Sequence, residues 1–156
     1  MSEPDVRLVR MSDAEVKAWL PVAMAHYEEA RMEAGDTPEQ AAAGRRASEE
    51  RFFPEGRIVD GQLLHAIRIG DEDAGWLWVG PWDDSGSVWW VWDLMVHPGY
   101  RRRGVARRAM VAAEEIARDH GAITLMLNVF ADNEAAIALY DALGFRAASL
   151  HMAKTL

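Results

Sequence analysis

"HPGYRRRGVARRAM", residues 97–110, sets five arginines (Arg101, Arg102, Arg103, Arg107 and Arg108) around Gly104 in a chain that carries 25 acidic and 17 basic residues. An apolar run, SVWWVWDLMV (87–96), feeds into it, and a helical pattern from Val105 to His120 leaves it, so the order is strand, loop, helix. That order suits an anion. The first N–H groups of a helix are unpaired and carry the positive end of its dipole, so a pyrophosphate can accept several hydrogen bonds there. Gly104 lets the backbone approach such a group, and Ala106 is too small to block it.

Composition narrows the choices. A chain of 156 residues, half of them apolar, has the size and core of one ordinary domain. With no cysteine there is no disulfide, thiolate metal site or cysteine nucleophile, and no metal is expected. The opening MSEPDVRLVR lacks the apolar segment of a secretory signal, and no run is long enough for a membrane span, so a cytoplasmic protein is expected. Net charge is −8, about −9 over residues 1–86 and +1 over 87–156. A field of that sign repels a nucleic-acid backbone, so the arginine cluster reads as local. A P-loop would need a lysine followed by Ser or Thr after its glycine, and a dinucleotide fingerprint would need three glycines; neither pattern is present.

Along the chain, VRLVR (6–10) alternates like a strand, and Ser12 with Glu15 forms a capping box for a helix to Gly35, which Pro21 should kink or split. Thr37, Pro38 and Gln40 start a second helix ending near Phe52. QLLHAIRI (62–69), AGWLWVG (74–80) and SVWWVWDLMV (87–96) read as an antiparallel meander. ITLMLNVF (123–130) reads as a further strand, residues 133–143 as a helix stopped by Gly144, and residues 145–155 as closing strand-like material. Trp76, Trp78, Trp82, Trp89, Trp90 and Trp92 read as large rings packing a sheet face rather than a cage for a quaternary amine, with one or two left to wall a pocket.

YRRRGVA (100–106) resembles the Arg/Gln-x-x-Gly-x-Gly/Ala motif of the GNAT superfamily of acyl-CoA-dependent N-acyltransferases, in which this loop cradles the pyrophosphate of coenzyme A. NEAAIALYDALGF (133–145) resembles the family's Asn-x-x-Ala-x-x-x-Tyr-x-x-x-Gly-Phe helix, in the family's order and at its usual separation. The resemblance covers about residues 87–150. It implies an α/β GNAT fold: a mixed, mostly antiparallel sheet flanked by helices on both faces, with splayed central strands holding acetyl-CoA, in a single domain over residues 1–156. It further implies an N-acetyltransferase that moves an acetyl group from acetyl-CoA to a primary amine by direct attack.

Residue by residue, the resemblance implies that the Leu94 N–H meets the thioester carbonyl and that Met95 and Val96 line the pantetheine arm. Arg101, Arg102, Arg103, Gly104, Val105, Ala106 and Arg107 surround the pyrophosphate, and Asn133 and Tyr140 face the arm. Asn133 and Tyr140 lie about two helical turns apart, hence on one face. A phenol of reference pKa ~10 is protonated at neutral pH and can donate to a departing thiolate, which makes Tyr140 the general acid. For the proton of the attacking amine the acceptors are His26, Glu28, Glu29, His65, Asp93 and His97. In the family, base positions on this strand match Trp90 and Trp92, which accept no proton. Strand alternation turns Asp93 to the opposite face unless a bulge reverses it, and a structural role is assigned to it.

The expected partners are a small-molecule or peptide amine, with no nucleic acid and no membrane, and a homodimer is left open. The acids of the first two helices, among them Glu28 and Glu29, would draw a cationic acceptor if they line its entrance. The alternatives are an acyl-CoA-binding regulatory module without turnover, or a nucleic-acid binder using the arginines.

Overall fold

The computed structural model describes residues 4–156. Its elements run β1 (Val6–Arg10), α1 (Asp13–Glu33), α2 (Pro38–Phe52), β2 (Leu63–Ile69), β3 (Glu72–Pro81), β4 (Val88–Val96), α3 (Val105–Asp119), β5 (Thr124–Leu127) and α4 (Glu134–Ala142). The five strands form one sheet in sequence order, antiparallel from β1 to β4 and parallel between β4 and β5. The last pair is parallel because α3 carries the chain back between those strands.

Local chemistry places the ends of the first two helices. Ser12 and Thr37 each accept from the N–H three residues on, while Glu15 and Gln40 return the bond to the cap N–H. Pro21 neither splits α1 nor ends it; it lies on the exposed side of a continuous helix, where water can take the carbonyl its ring leaves unpaired.

The sheet buries both faces. On one, Trp19, Ala23 and Met24 of α1 and Phe52 of α2 pack on Leu64, Trp76 and Trp78, with Trp19 meeting Trp76 edge-on at 6.0 Å. On the other, Met110, Ala113 and Ala117 of α3 pack on Leu77, Val79, Trp89 and Val91, and Tyr140 and Leu143 of α4 join them. Small residues on α3 let the helix sit close to the sheet. Gly75 lets β3 approach β4 closely, since a Cβ there would stand 1.9 Å from the Met95 carbonyl oxygen.

Two irregularities shape the centre. Val79 pairs with Val91 and Trp78 with Asp93, so Trp92 is an extra residue in β4, a bulge. Pairing of β4 with β5 ends at Val91 and Leu127, while β4 continues beside β3 to Val96. Beyond that point the central strands part.

The C-terminal stretch differs from its reading. Residues 145–156 form no strand; Leu150, Met152 and Leu156 are exposed, and no neighbouring strand pairs with the segment. The strand expected over 123–130 is shorter for a related reason, because β5 leaves its ladder after Leu127.

His65 is buried on β2, its Nδ1 has no partner, and burial together with nearby Arg10 pushes its pKa down to about 4. The folded protein therefore holds it neutral, while the unfolded chain binds a proton below about pH 6.5. Stability from this residue is present above pH 6.5 and is lost as pH falls toward 4. His65→Leu should flatten that part of the Tm-versus-pH curve relative to wild type, as measured by differential scanning calorimetry. Parallel curves between pH 6.5 and 4 would show that His65 does not titrate with unfolding.

Candidate active site

The bulge decides what faces what. Cross-strand partners share a face, so Asp93, opposite Trp78, lies on the α1–α2 side, whereas Leu94, opposite Leu77, lies on the α3 side. The expectation that alternation sends Asp93 away from Trp90 and Trp92 is thus corrected. The extra residue at Trp92 resets the alternation by one, and Trp90, Trp92, Asp93 and Met95 all serve one face.

Asp93 accepts a 2.7 Å hydrogen bond from the Trp76 indole. Burial pushes its carboxyl above the usual carboxylate range, against the opposing influences of that indole, the Leu94 N–H and His26. The carboxyl group is thus desolvated, although the residue as a whole is only half-buried. His26, on α1, has its ring 6.0 Å from that of Trp76. Tyr140 approaches from α4, packed on Phe145, and its phenol is pushed above its usual pKa by burial first and by Asp93 second. A carboxylate on β4 is thus within electrostatic reach of an imidazole on α1 and a phenol on α4.

From Trp92 to Val96 no strand among the described residues lies beside β4 on the side away from β3. An extended amide-bearing chain could lie there and use the exposed strand edge. Leu94, Met95 and Val96 belong to this edge. The Arg101 side chain folds back onto it, donating Nε–H to the Val96 carbonyl at 2.8 Å and placing Nη2 3.7 Å from the Met95 Sδ.

The arginine loop ends at Gly104, the N-cap of α3, with φ +75, and Arg102 also takes a left-handed φ of +57. A non-glycine residue held there stores strain of about 1–3 kcal/mol, which functional loops retain. A Cβ on Gly104 would meet nothing within 4 Å, so no protein atom demands the glycine on steric grounds. The space in front of it is open to a ligand. Among the described residues no carboxylate pairs with Arg101, Arg102, Arg103 or Arg107. Arg103 instead lies over the Tyr100 ring, whose hydroxyl donates to Glu72. Val105, the first residue of α3, is buried against Ile67 and Ala74, and small Ala106 follows it, so the first turn can offer its N–H groups to an anion.

Asn133 departs from its reading. It is the N-cap of α4 rather than a residue within the helix, its Oδ1 accepting from the Ala136 N–H at 3.2 Å. Its amide NH2 remains able to donate. Of the other base candidates, His65 lies on the face away from Asp93, and His97 is 3.6 Å from Asp73. Glu28 is tied to Arg45.

The tryptophans divide among several settings. Trp76 and Trp78 are core, and Trp89 lies on the α3 side. Trp82, Trp90 and Trp92 stack on one another with centroids 4.6–5.7 Å apart, beneath the Arg51 guanidinium. Neither this wall nor the Trp76–Asp93 bond was legible without the pairing register. A cleft of about 300 Å³ opens between α1 and the β5–α4 loop, lined by Ala30, Glu33, Phe130, Asp132 and Asn133. Among the described residues no cluster of three or more His, Asp or Glu is placed to hold a metal, and no helix is long and apolar enough to cross a membrane.

The model of the acetyltransferase (GNAT) family matches residues 22–145. The chain belongs to the GNAT family. It is 29% identical to the uncharacterized N-acetyltransferase YycN of Bacillus subtilis over 154 residues, 97% of this chain and 99% of the relative. The crystal structure of YycN superposes with a TM-score of 0.87 over 97% of this chain and 98% of the other. The uncharacterized N-acetyltransferase YdgE of the same organism is 27% identical over 150 residues, 94% and 95% of the two chains. The structure of AAC(6')-Iy in complex with the bisubstrate analog CoA-S-monomethyl-acetylneamine shares the fold at 16% identity, with a TM-score of 0.63 over 99% of both chains. This chain is therefore an acyltransferase with the GNAT fold.

The two assignments for Asn133 separate experimentally. Asn133→Ala should cost about 1 kcal/mol of stability through loss of the cap. Asn133→Asp keeps the acceptor and should restore the Tm, while removing the NH2 donor. If urea denaturation shows Asp no better than Ala, the cap does not account for this side chain.

Proposed function

We propose that the chain is a single catalytic domain that transfers the acetyl group of acetyl-CoA to a primary amine by direct attack. The observation that carries this reading is the parting of β4 from β5 beside a strained, carboxylate-free arginine loop. An adenine nucleotide joined through a pyrophosphate to an amide-bearing arm with a terminal thioester fits that combination. The pyrophosphate falls to the backbone N–H groups from Arg101 to Arg107, with Gly104, Val105 and Ala106 at its centre, and the arm to the edge of Leu94, Met95 and Val96. Arg101 then leaves the Val96 carbonyl, and Asn133 offers its amide to the arm. AAC(6')-Iy, a neighbour in fold, holds a CoA-based bisubstrate analog, which supports the same donor here.

The thioester supplies an activated acyl group. The Leu94 N–H supports the negative charge that grows on its carbonyl oxygen. Tyr140, kept protonated by burial and by Asp93, donates to the departing sulfur. The acceptor, a small molecule or peptide, enters from the α1–α2 side, past the Trp82, Trp90 and Trp92 wall and the cleft bearing Glu33 and Asp132. Those two acids replace Glu28 as the charges best placed to favour a cationic amine, since Glu28 is neutralised by Arg45. A cytoplasmic setting, without nucleic acid or membrane, is part of the reading.

CoA release should be followed with acetyl-CoA and a panel of spermidine, kanamycin, an alanine-terminated peptide and free amino acids. At least one amine should give turnover; tight acetyl-CoA binding without any would favour a regulatory binding module. Gly104→Glu places bulk and negative charge where the phosphates sit, so calorimetry should show acetyl-CoA binding lost while the circular dichroism spectrum is kept. Tyr140→Phe should preserve binding and lower turnover about 10²-fold. An unchanged rate with chemistry limiting would demote Tyr140 to packing.

A further inference from the structure

We propose that Asp93 is the general base, delivered to the acceptor side by the bulge at Trp92, with His26 as its proton outlet. The inference rests on the acetyl-transfer reading above and adds to it the residue that takes the amine proton. Three observations carry it. The register places Asp93 with Trp90 and Trp92 on the α1–α2 face, one residue from the strand position whose side chain is an indole and accepts no proton. The carboxylate uses Oδ2 for the Trp76 indole, and its residue lies two positions past Val91, where the pairing of β4 with β5 ends. Titratable groups on both sides of the gap are coupled to it: His26 from α1 acts on Asp93, and Asp93 in turn acts on Tyr140 of α4.

Burial has a chemical use here. An ordinary carboxylate is a weak base for an ammonium of reference pKa ~10.4, and desolvation strengthens it while the Trp76 bond limits the rise. The protons balance as follows. The acceptor arrives as an ammonium, and Asp93 takes its first proton and passes it by His26 to solvent. As the N–C bond forms and the C–S bond breaks, Asp93 takes the second proton from nitrogen and Tyr140 gives its own to sulfur. Transfer from protonated Asp93 to the tyrosinate, directly or through water, restores both groups.

Asp93→Asn is nearly isosteric and still accepts from Trp76, so the fold and the acetyl-CoA Kd should stay within about twofold. With the best amine of the panel, kcat/KM at pH 7 should fall by about 10²-fold or more, and the acidic limb of the kcat/KM profile should vanish. Trp76→Phe removes the bond that holds the Asp93 pKa down, so the same limb should move to higher pH; His26→Asn should move it in the same direction by less. Carbon-13 NMR of aspartate-labelled protein should show one carboxyl titrating with that limb, absent in Asp93→Asn. A limb that survives Asp93→Asn, or stays in place in Trp76→Phe with the fold intact, overturns the base. Failure of every amine to release CoA from the wild type overturns the transfer reading instead, and the base with it.

Discussion

One extra residue in β4 controls the centre of this molecule. Had β4 alternated without interruption, Asp93 would lie under α3 on the face of Trp89 and Val91, where a carboxylate without a polar partner is costly. With Trp92 inserted, Asp93 faces Trp76 and finds a donor, while Leu94 and Val96 go to the α3 side and help close the core there. The added twist of a bulge also turns β4 from β5, whose pairing ends at Val91, the residue before the insertion. The gap, the open strand edge and the position of the carboxylate thus share a single backbone event.

The loop after β4 depends on that event in turn. Because β4 runs on beside β3 to Val96 without a neighbour on its far side, the chain arrives at Arg101–Gly104 over open space rather than over a strand. Two left-handed residues, Arg102 and Gly104, then turn it abruptly into α3. The strain at Arg102 is offset by burial behind the loop, where Val105, Ala109 and Met110 are almost wholly enclosed. A helix anchored by its buried face presents its first N–H groups in a fixed direction, which an anion-binding turn requires.

Features written in local chemistry were legible in the sequence. The boxes at Ser12–Glu15 and Thr37–Gln40, the limits of α2 and the glycine loop were readable because each depends on residues within four positions of one another. Features that depend on pairing were not. The bulge at Trp92 is invisible in WWVWDLM, because an alternating strand and a bulged one can be written with the same apolar residues. Asn133 looked like a helix-face residue by spacing, yet Asn is also a favoured cap, and the helix begins one residue later. Residues 145–155 have strand-like composition but no strand to pair with, and composition alone cannot supply one.

On the proposed mechanism, the fold turns two ordinary side chains, Asp93 and Tyr140, into a base and an acid. Each is desolvated, which raises both pKa values, and the carboxylate raises the phenol further by its charge. The same shift acts differently on the two. It leaves Tyr140 protonated, and hence a donor, while it makes Asp93 a stronger acceptor so long as the Trp76 indole and His26 keep it ionised. Groups whose environments assign them opposite proton duties mark acid–base sites. Here the assignment needs no charge relay through the core, because α4 brings the phenol to one side of the gap and α1 brings the imidazole to the other. On the proposed mechanism the sulfur departs on the side of the phenol, and the amine enters on the side of the carboxylate.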